Sequence, residues 1–181
     1  MERAEARLRI VAPVTLLLIF LLLYLNFRNL SAPLVVMLSI PFGLLGGIWF
    51  IYFNDYNMSV AVAVGFIALA GMGAEIGVLV LSFIDEEIAE QRKGNPGQLS
   101  IDHIKNAALS ATSRRVRPVV MTAVSTMAGL VPIMLSSGSG ADVTHRIAAP
   151  MLGGMLTVLI LSLLVLPVIY SVILQWKERG N

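Results

Sequence analysis

The residue that stands out for chemistry is an acid in a greasy stretch. Glu75 lies in GFIALAGMGAEIGVLVLSFIDEE (65–87), within the apolar run from Val60 to Ile84. Asp85, the first residue of the acidic flank, is ten residues further on. At about 1.5 Å per helical residue, Glu75 is roughly 15 Å deep, about half of a hydrocarbon core. An ionised carboxylate there costs about 2.5–3.5 kcal/mol, and glutamate is too short to reach the headgroups. Two arrangements avoid that cost. The acid is protonated, since desolvation disfavours the charged form, or it pairs inside a helix bundle. Ala70, Gly71, Gly73, Ala74 and Gly77 keep this helix thin, so neighbours can approach it and place Glu75 in an interior. Met72, three residues earlier, shares its face. Two roles fit: a proton-relay acid, or a neutral glutamic acid hydrogen-bonded between helices for packing. No other apolar run carries an Asp, Glu, Lys, Arg or His well inside it, so the chain offers Glu75 no ionisable mate.

The remaining candidates are softer. There are nine methionines and no cysteine, which excludes disulfides and thiolate metal sites. Thioethers suit Cu(I), yet methionine is also ordinary apolar filler. Only Met151 and Met155, at i and i+4, share a helix face closely, and packing explains them more readily than metal does. His145, in the loop SSGSGADVTHR, is either a ligand or a solvated loop residue. No hydrolytic or redox constellation exists, so no enzyme activity is expected. No basic patch interleaved with aromatics points to nucleic acid.

The elements that hold these residues follow from composition. The chain is 57% hydrophobic and 13% charged over 181 residues, with mean hydropathy +0.83. A soluble domain has about a quarter of its residues charged. The apolar residues come in runs at about 8–27, 31–53, 58–84, 116–135 and 146–174. Each reaches the roughly 20 residues that cross a bilayer core. The expectation is an all-α membrane protein with five transmembrane helices in a single unit, 1–181. Ten-residue alternating segments, the mark of a membrane β-barrel, are absent. The first run is too long for a signal peptide.

After the third span the helix continues as DEEIAEQRK, and Gly94-Asn95-Pro96-Gly97 is expected to stop it. Ser100 is a candidate N-cap. Leu99, Ile101, Ile104, Ala108 and Ala111 form an apolar stripe, which predicts an amphipathic helix at about 99–112 on the cytoplasmic interface. Arg114, Arg115 and Arg117 then lie among lipid headgroups. Span four begins near Pro118 and carries Thr122, Ser125 and Thr126. Trp49, Tyr52, Phe53 and Tyr56 read as an interfacial aromatic belt.

Five spans put the termini on opposite sides. With the N-terminus outside, nine basic residues face inward and four, Arg3, Arg7, Arg9 and Arg146, face outward. The positive-inside rule favours this orientation. Three arginines ahead of the first span are awkward to translocate, which suggests that the sequence is the back part of something longer.

RLRIVAPVTLLLIFLLLYLNFRN, PFGLLGGIWF, GFIALAGMGAEIGVLVL, RRVRPVVMTAV and RIAAPMLGGM…LPVIY occur in this order. Together they resemble the C-terminal membrane part of the heavy-metal branch of resistance–nodulation–division (RND) efflux pumps, of the Cus, Sil and Czc type. The resemblance covers essentially the whole chain and is most similar to the copper and silver exporters. It implies half of an RND transmembrane domain. The whole pump would be a proton-driven antiporter of the bacterial inner membrane, with its N-terminal half absent here. This segment's N-terminus would be periplasmic and its C-terminus cytoplasmic. The pump would be a homotrimer docked to a periplasmic adaptor and an outer-membrane channel, needing no cofactor beyond the transported cation and protons. Glu75 falls where the family places a charged relay residue, and Thr122 sits near that relay. Drug-exporting members usually carry lysine at the Glu75 position. Two departures are visible: copper and silver members have a lysine where this chain has Val119, and a methionine where it has Thr144. They leave zinc, cobalt or cadmium open as cargo. The rival reading is a truncated remnant that only packs with partner helices.

Overall fold

The computed structural model describes residues 2–27, 29–94 and 101–179. Among these there is no strand. The elements are α1 (Glu2–Phe27), α2 (Ser31–Phe53), α3 (Val60–Gly94), α4 (Ile101–Met134), α5 (Ala141–Ile160) and α6 (Leu166–Arg179), with a π turn at Leu161–Val165 joining α5 to α6. Helices are the answer lipid imposes, because a helix satisfies its own backbone polar groups. Four stretches of the described residues are long and apolar enough to cross a membrane: Ser31–Phe53, Val60–Gln91, His103–Met134 and Ala141–Trp176. Pro13–Phe27 is a shorter apolar stretch.

In hydrocarbon there is little hydrophobic drive between helices, so close packing of small residues has to hold the bundle. The α2–α5 crossing does this. A Cβ placed on Gly46 would stand 2.7 Å from the Gly153 carbonyl oxygen, and one on Gly153 would stand 2.9 Å from that of Gly46. The two backbones approach closely, and the Thr157 and Phe50 side chains already occupy the space that a Cβ on Gly46 or Gly153 would need. Around this crossing, one cluster gathers Leu69, Ile76, Val119, Ala123, Met155 and Val158. A larger one runs from Val36 through Ile84 and Ile88 to Ile104, Ala107 and Tyr170. At the end of α2, Trp49, Tyr52 and Phe53 are exposed, and the Trp49 and Phe53 rings stack at 5.5 Å, as an aromatic belt requires.

The structure differs from the sequence expectation at the connection into span four. The segment at about 99–112 is not a helix separate from a span starting near 116; from Ile101 to Met134 it is one helix, with Pro118 inside it. The reason is its apolar stripe. Ile104, Ala107, Ala108 and Ala111 are buried against the same cluster as Ile84 and Ile88 of α3. A helix laid along the interface would give up that contact. Two links reinforce the pairing: the Arg115 guanidinium lies 3.3 Å from the Phe83 ring centroid, and Arg114 is 3.7 Å from Glu87. Two of the arginines expected among headgroups therefore have protein partners. The expected stop at Asn95-Pro96-Gly97, the candidate cap Ser100 and Leu99 lie outside the described residues.

Candidate functional site

Glu75 sits in the regular middle of α3, and the small residues around it divide by face. Gly73, Ala74 and Gly77 are buried, and a Cβ on Gly77 would meet Val36 and Leu166 at 3.4–3.5 Å. Gly71, Glu75 and Leu79, spaced by four, are exposed, and nothing lies within 4 Å of a Cβ on Gly71. The thin helix does allow close packing, but on the side away from the acid. Within this chain Glu75 is exposed, not interior, and among the described residues its carboxylate has no hydrogen-bond or ion-pair partner.

Thr122 comes to the same level of the bundle. Ile76 and Ala123, each one residue further along its helix, share one apolar cluster. Thr122 is exposed as well. Its hydroxyl donates to the Pro118 carbonyl at 3.0 Å, and the Thr126 hydroxyl donates to the Thr122 carbonyl at 3.0 Å. These bonds hold the hydroxyl protons on the α4 backbone and leave oxygen lone pairs outward. No hydrogen bond joins Thr122 to Glu75. Val119 is buried in the same apolar cluster as Ile76 and Met155. No cation stands there to meet the acid.

The metal candidates do not converge. Met155 is 2% exposed and packs among Leu69, Ile76 and Ala123, so its thioether fills space. Met151, one turn before it, is half-buried. His145 lies in the first turns of α5, its Nε2 3.4 Å from the Ser136 hydroxyl. Ten residues of helix, about 15 Å, separate His145 from Met155. Among the described residues no group of three or more His, Cys, Asp or Glu side chains could hold a metal ion.

One polar link escapes a reading of the sequence. The Tyr170 hydroxyl donates to Asp85 Oδ1 at 2.5 Å, joining α6 to α3 across 85 residues of chain. Tyr170 is fully buried. The available signal was a tyrosine within the otherwise apolar LLVLPVIY, which in hydrocarbon has to find an acceptor.

What remains open on this surface is the α3 stripe of Gly71, Glu75 and Leu79 and most of α4. Only 11% of the membrane window of α4 is buried, against 44% of that of α3. Glu75 thus stands beside a helix most of whose apolar window is exposed in this chain.

The profile of the AcrB/AcrD/AcrF family matches residues 1–174. The cation efflux system protein CusA of Escherichia coli K12 is 43% identical over 180 residues, covering 99% of this chain and 17% of CusA. The cobalt-zinc-cadmium resistance protein CzcA of Cupriavidus metallidurans is 40% identical over 170 residues, covering 94% of this chain and 15% of CzcA. A crystal structure of a heavy metal efflux pump superposes with a TM-score of 0.81 at 32% identity, covering 96% of this chain and 16% of the pump. The chain therefore spans about a sixth of the length of these relatives. It belongs to the AcrB/AcrD/AcrF family, and the relatives it resembles at 32–43% identity are named as cation or heavy-metal efflux proteins.

Proposed function

We propose that this chain is part of a proton-driven exporter of heavy-metal cations, and that Glu75 is its proton-carrying group. The supporting observation is the position of Glu75: mid-helix, exposed and, among the described residues, without a partner, on a face that the rest of the described bundle leaves uncovered. Remaining helices of a longer permease would cover that face and bring the ionisable groups this chain lacks. With Val119 in the apolar cluster, the basic partner of a relay has to come from those helices.

Copper and silver, as monovalent ions, are the proposed cargo, on the resemblance to the Cus and Sil type; zinc, cobalt and cadmium are the alternative. The chain crosses the inner membrane five times, with its N-terminus periplasmic and its C-terminus cytoplasmic. It acts within a homotrimer joined to a periplasmic adaptor and an outer-membrane channel. It makes and breaks no covalent bond and carries no resident cofactor. The second reading, a remnant that packs without transporting, is favoured by the missing mate of Glu75.

Resistance assays decide between them. In a full-length permease carrying this segment, Glu75→Gln should abolish metal resistance at unchanged expression, and Glu75→Asp should retain part of it. Wild-type resistance from Glu75→Gln would sink the relay role. Growth on copper, silver, zinc, cobalt and cadmium would assign the cargo.

A further inference from the structure

A small, partly open cavity lies between α2, α3, α5 and the π turn, with Ser39, Leu44, Gly73, Val158, Leu161 and Ser162 in its wall. The space open to a water centre is about 10 Å³, which is about the least that holds one molecule. Two hydroxyls line it. Ser162 is 2% exposed, and among the described residues its hydroxyl has no hydrogen-bond partner. The Ser39 hydroxyl donates to the Val36 carbonyl at 2.7 Å, so its oxygen is free to accept.

The backbone beside Ser162 has a reason to be irregular. Pro167 has no N–H, and in a continuous α-helix its ring would clash with the Leu163 carbonyl. The chain answers with the π turn Leu161–Val165, closed by the Leu166 N–H bonding to the Leu161 carbonyl five residues back. The wider turn carries Ser162 into the interior facing α2 and α3.

We propose that Ser39 and Ser162 hold a single water molecule in this cavity. Ser162 donates to it and Ser39 accepts from it, which gives the water the two polar partners it needs. A buried hydroxyl with no partner is costly in hydrocarbon, and the water removes that cost while joining α2 to the last span. Gly73 faces the cavity and Glu75 faces out of the bundle, so this site is separate from the candidate relay and stands whether or not the chain takes part in transport.

The probe is water itself. X-ray radiolysis of the chain in lipid nanodiscs produces hydroxyl radicals from bound water, and mass spectrometry locates the oxidised side chains. Leu44 and Leu161 should be oxidised, at a depth from which lipid excludes bulk water. Gly73→Ala is the plugging variant. Its methyl would stand 3.6 Å from Val158, an ordinary contact, so the fold tolerates it while the cavity is taken up. Oxidation of both leucines should then fall to background at unchanged helical circular dichroism. If Gly73→Ala does not fold, Ser162→Ala replaces it and should lower the oxidation by removing one partner. Absence of oxidation in the wild type, or undiminished oxidation in the folded variant, overturns the proposal.

Discussion

The Tyr170 hydroxyl lies 2.5 Å from Asp85 Oδ1, and this bond fastens the last helix to the same helix that carries Glu75. The tyrosine ring is fully buried, so its oxygen has no water to fall back on. A hydrogen bond to a charged group contributes about 1.5–3 kcal/mol. Tyr170→Phe keeps the ring and deletes only the donor. It should destabilise the protein by an amount in that range, read as a lower melting temperature in detergent. Asp85 keeps a further interaction, so the loss should stay at the lower end. An unchanged melting temperature would mean that the bond contributes nothing net.

The α2–α5 crossing makes a sharper demand. Gly46 and Gly153 each face the other's carbonyl oxygen at under 3 Å from where a Cβ would be. Gly46→Ala or Gly153→Ala forces the helices apart and should cost at least the 1–3 kcal/mol typical of overpacking. Gly129→Ala on α4 is the control, since nothing lies within 4 Å of its Cβ. It should melt at or above the wild-type temperature, because alanine is the better helix former. Equal melting of all three variants would show that the crossing is looser than the structure has it.

Met155 separates packing from ligation. It is 2% exposed in an apolar cluster, so Met155→Ala should cost about 2–5 kcal/mol through the cavity it leaves. Met155→Leu nearly conserves volume and should cost less than about 1.5 kcal/mol. If the thioether only fills space, a permease with Met155→Leu keeps its metal resistance. A folded Leu variant that loses copper or silver resistance would restore a ligand role to Met155.

These sites show what the sequence could and could not disclose. The helices were legible because lipid leaves long apolar runs little other choice, and α2 coincides with the run at 31–53. The facing of each helix was less so. Lipid and protein interior are equally apolar, so the residues around Glu75 looked alike on every side. The stripe at Ile104, Ala108 and Ala111 was legible as a stripe, but its partner was not. An interface and the side of α3 both accept an apolar face, and only the long extension of α3 decides between them. The Asp85–Tyr170 bond joins residues 85 apart, beyond any local pattern. The π turn was foreshadowed only by Pro167, and the chain has other prolines inside α-helices without one, such as Pro41 in α2.

The last prediction is that the chain by itself moves no metal. Alternating access needs two states whose equilibrium both proton and cargo bias. In secondary transporters those states come from one structural repeat rocking against another around a midplane site. The chain covers about a sixth of its relatives, and among the described residues Glu75 faces outward without a partner. No second repeat is present within these helices for them to rock against. Reconstituted alone in liposomes, the chain should show no proton flux in response to Cu(I), Ag(I) or Zn(II). Glu75→Gln should leave this null result unchanged and should melt close to the wild-type temperature, because an exposed side chain contributes little to the fold. Metal-dependent proton flux that vanishes in Glu75→Gln would contradict this. It would mean that copies of the chain assemble, that the open α3 and α4 faces close on one another, and that a homo-oligomer supplies the mate that a single copy lacks.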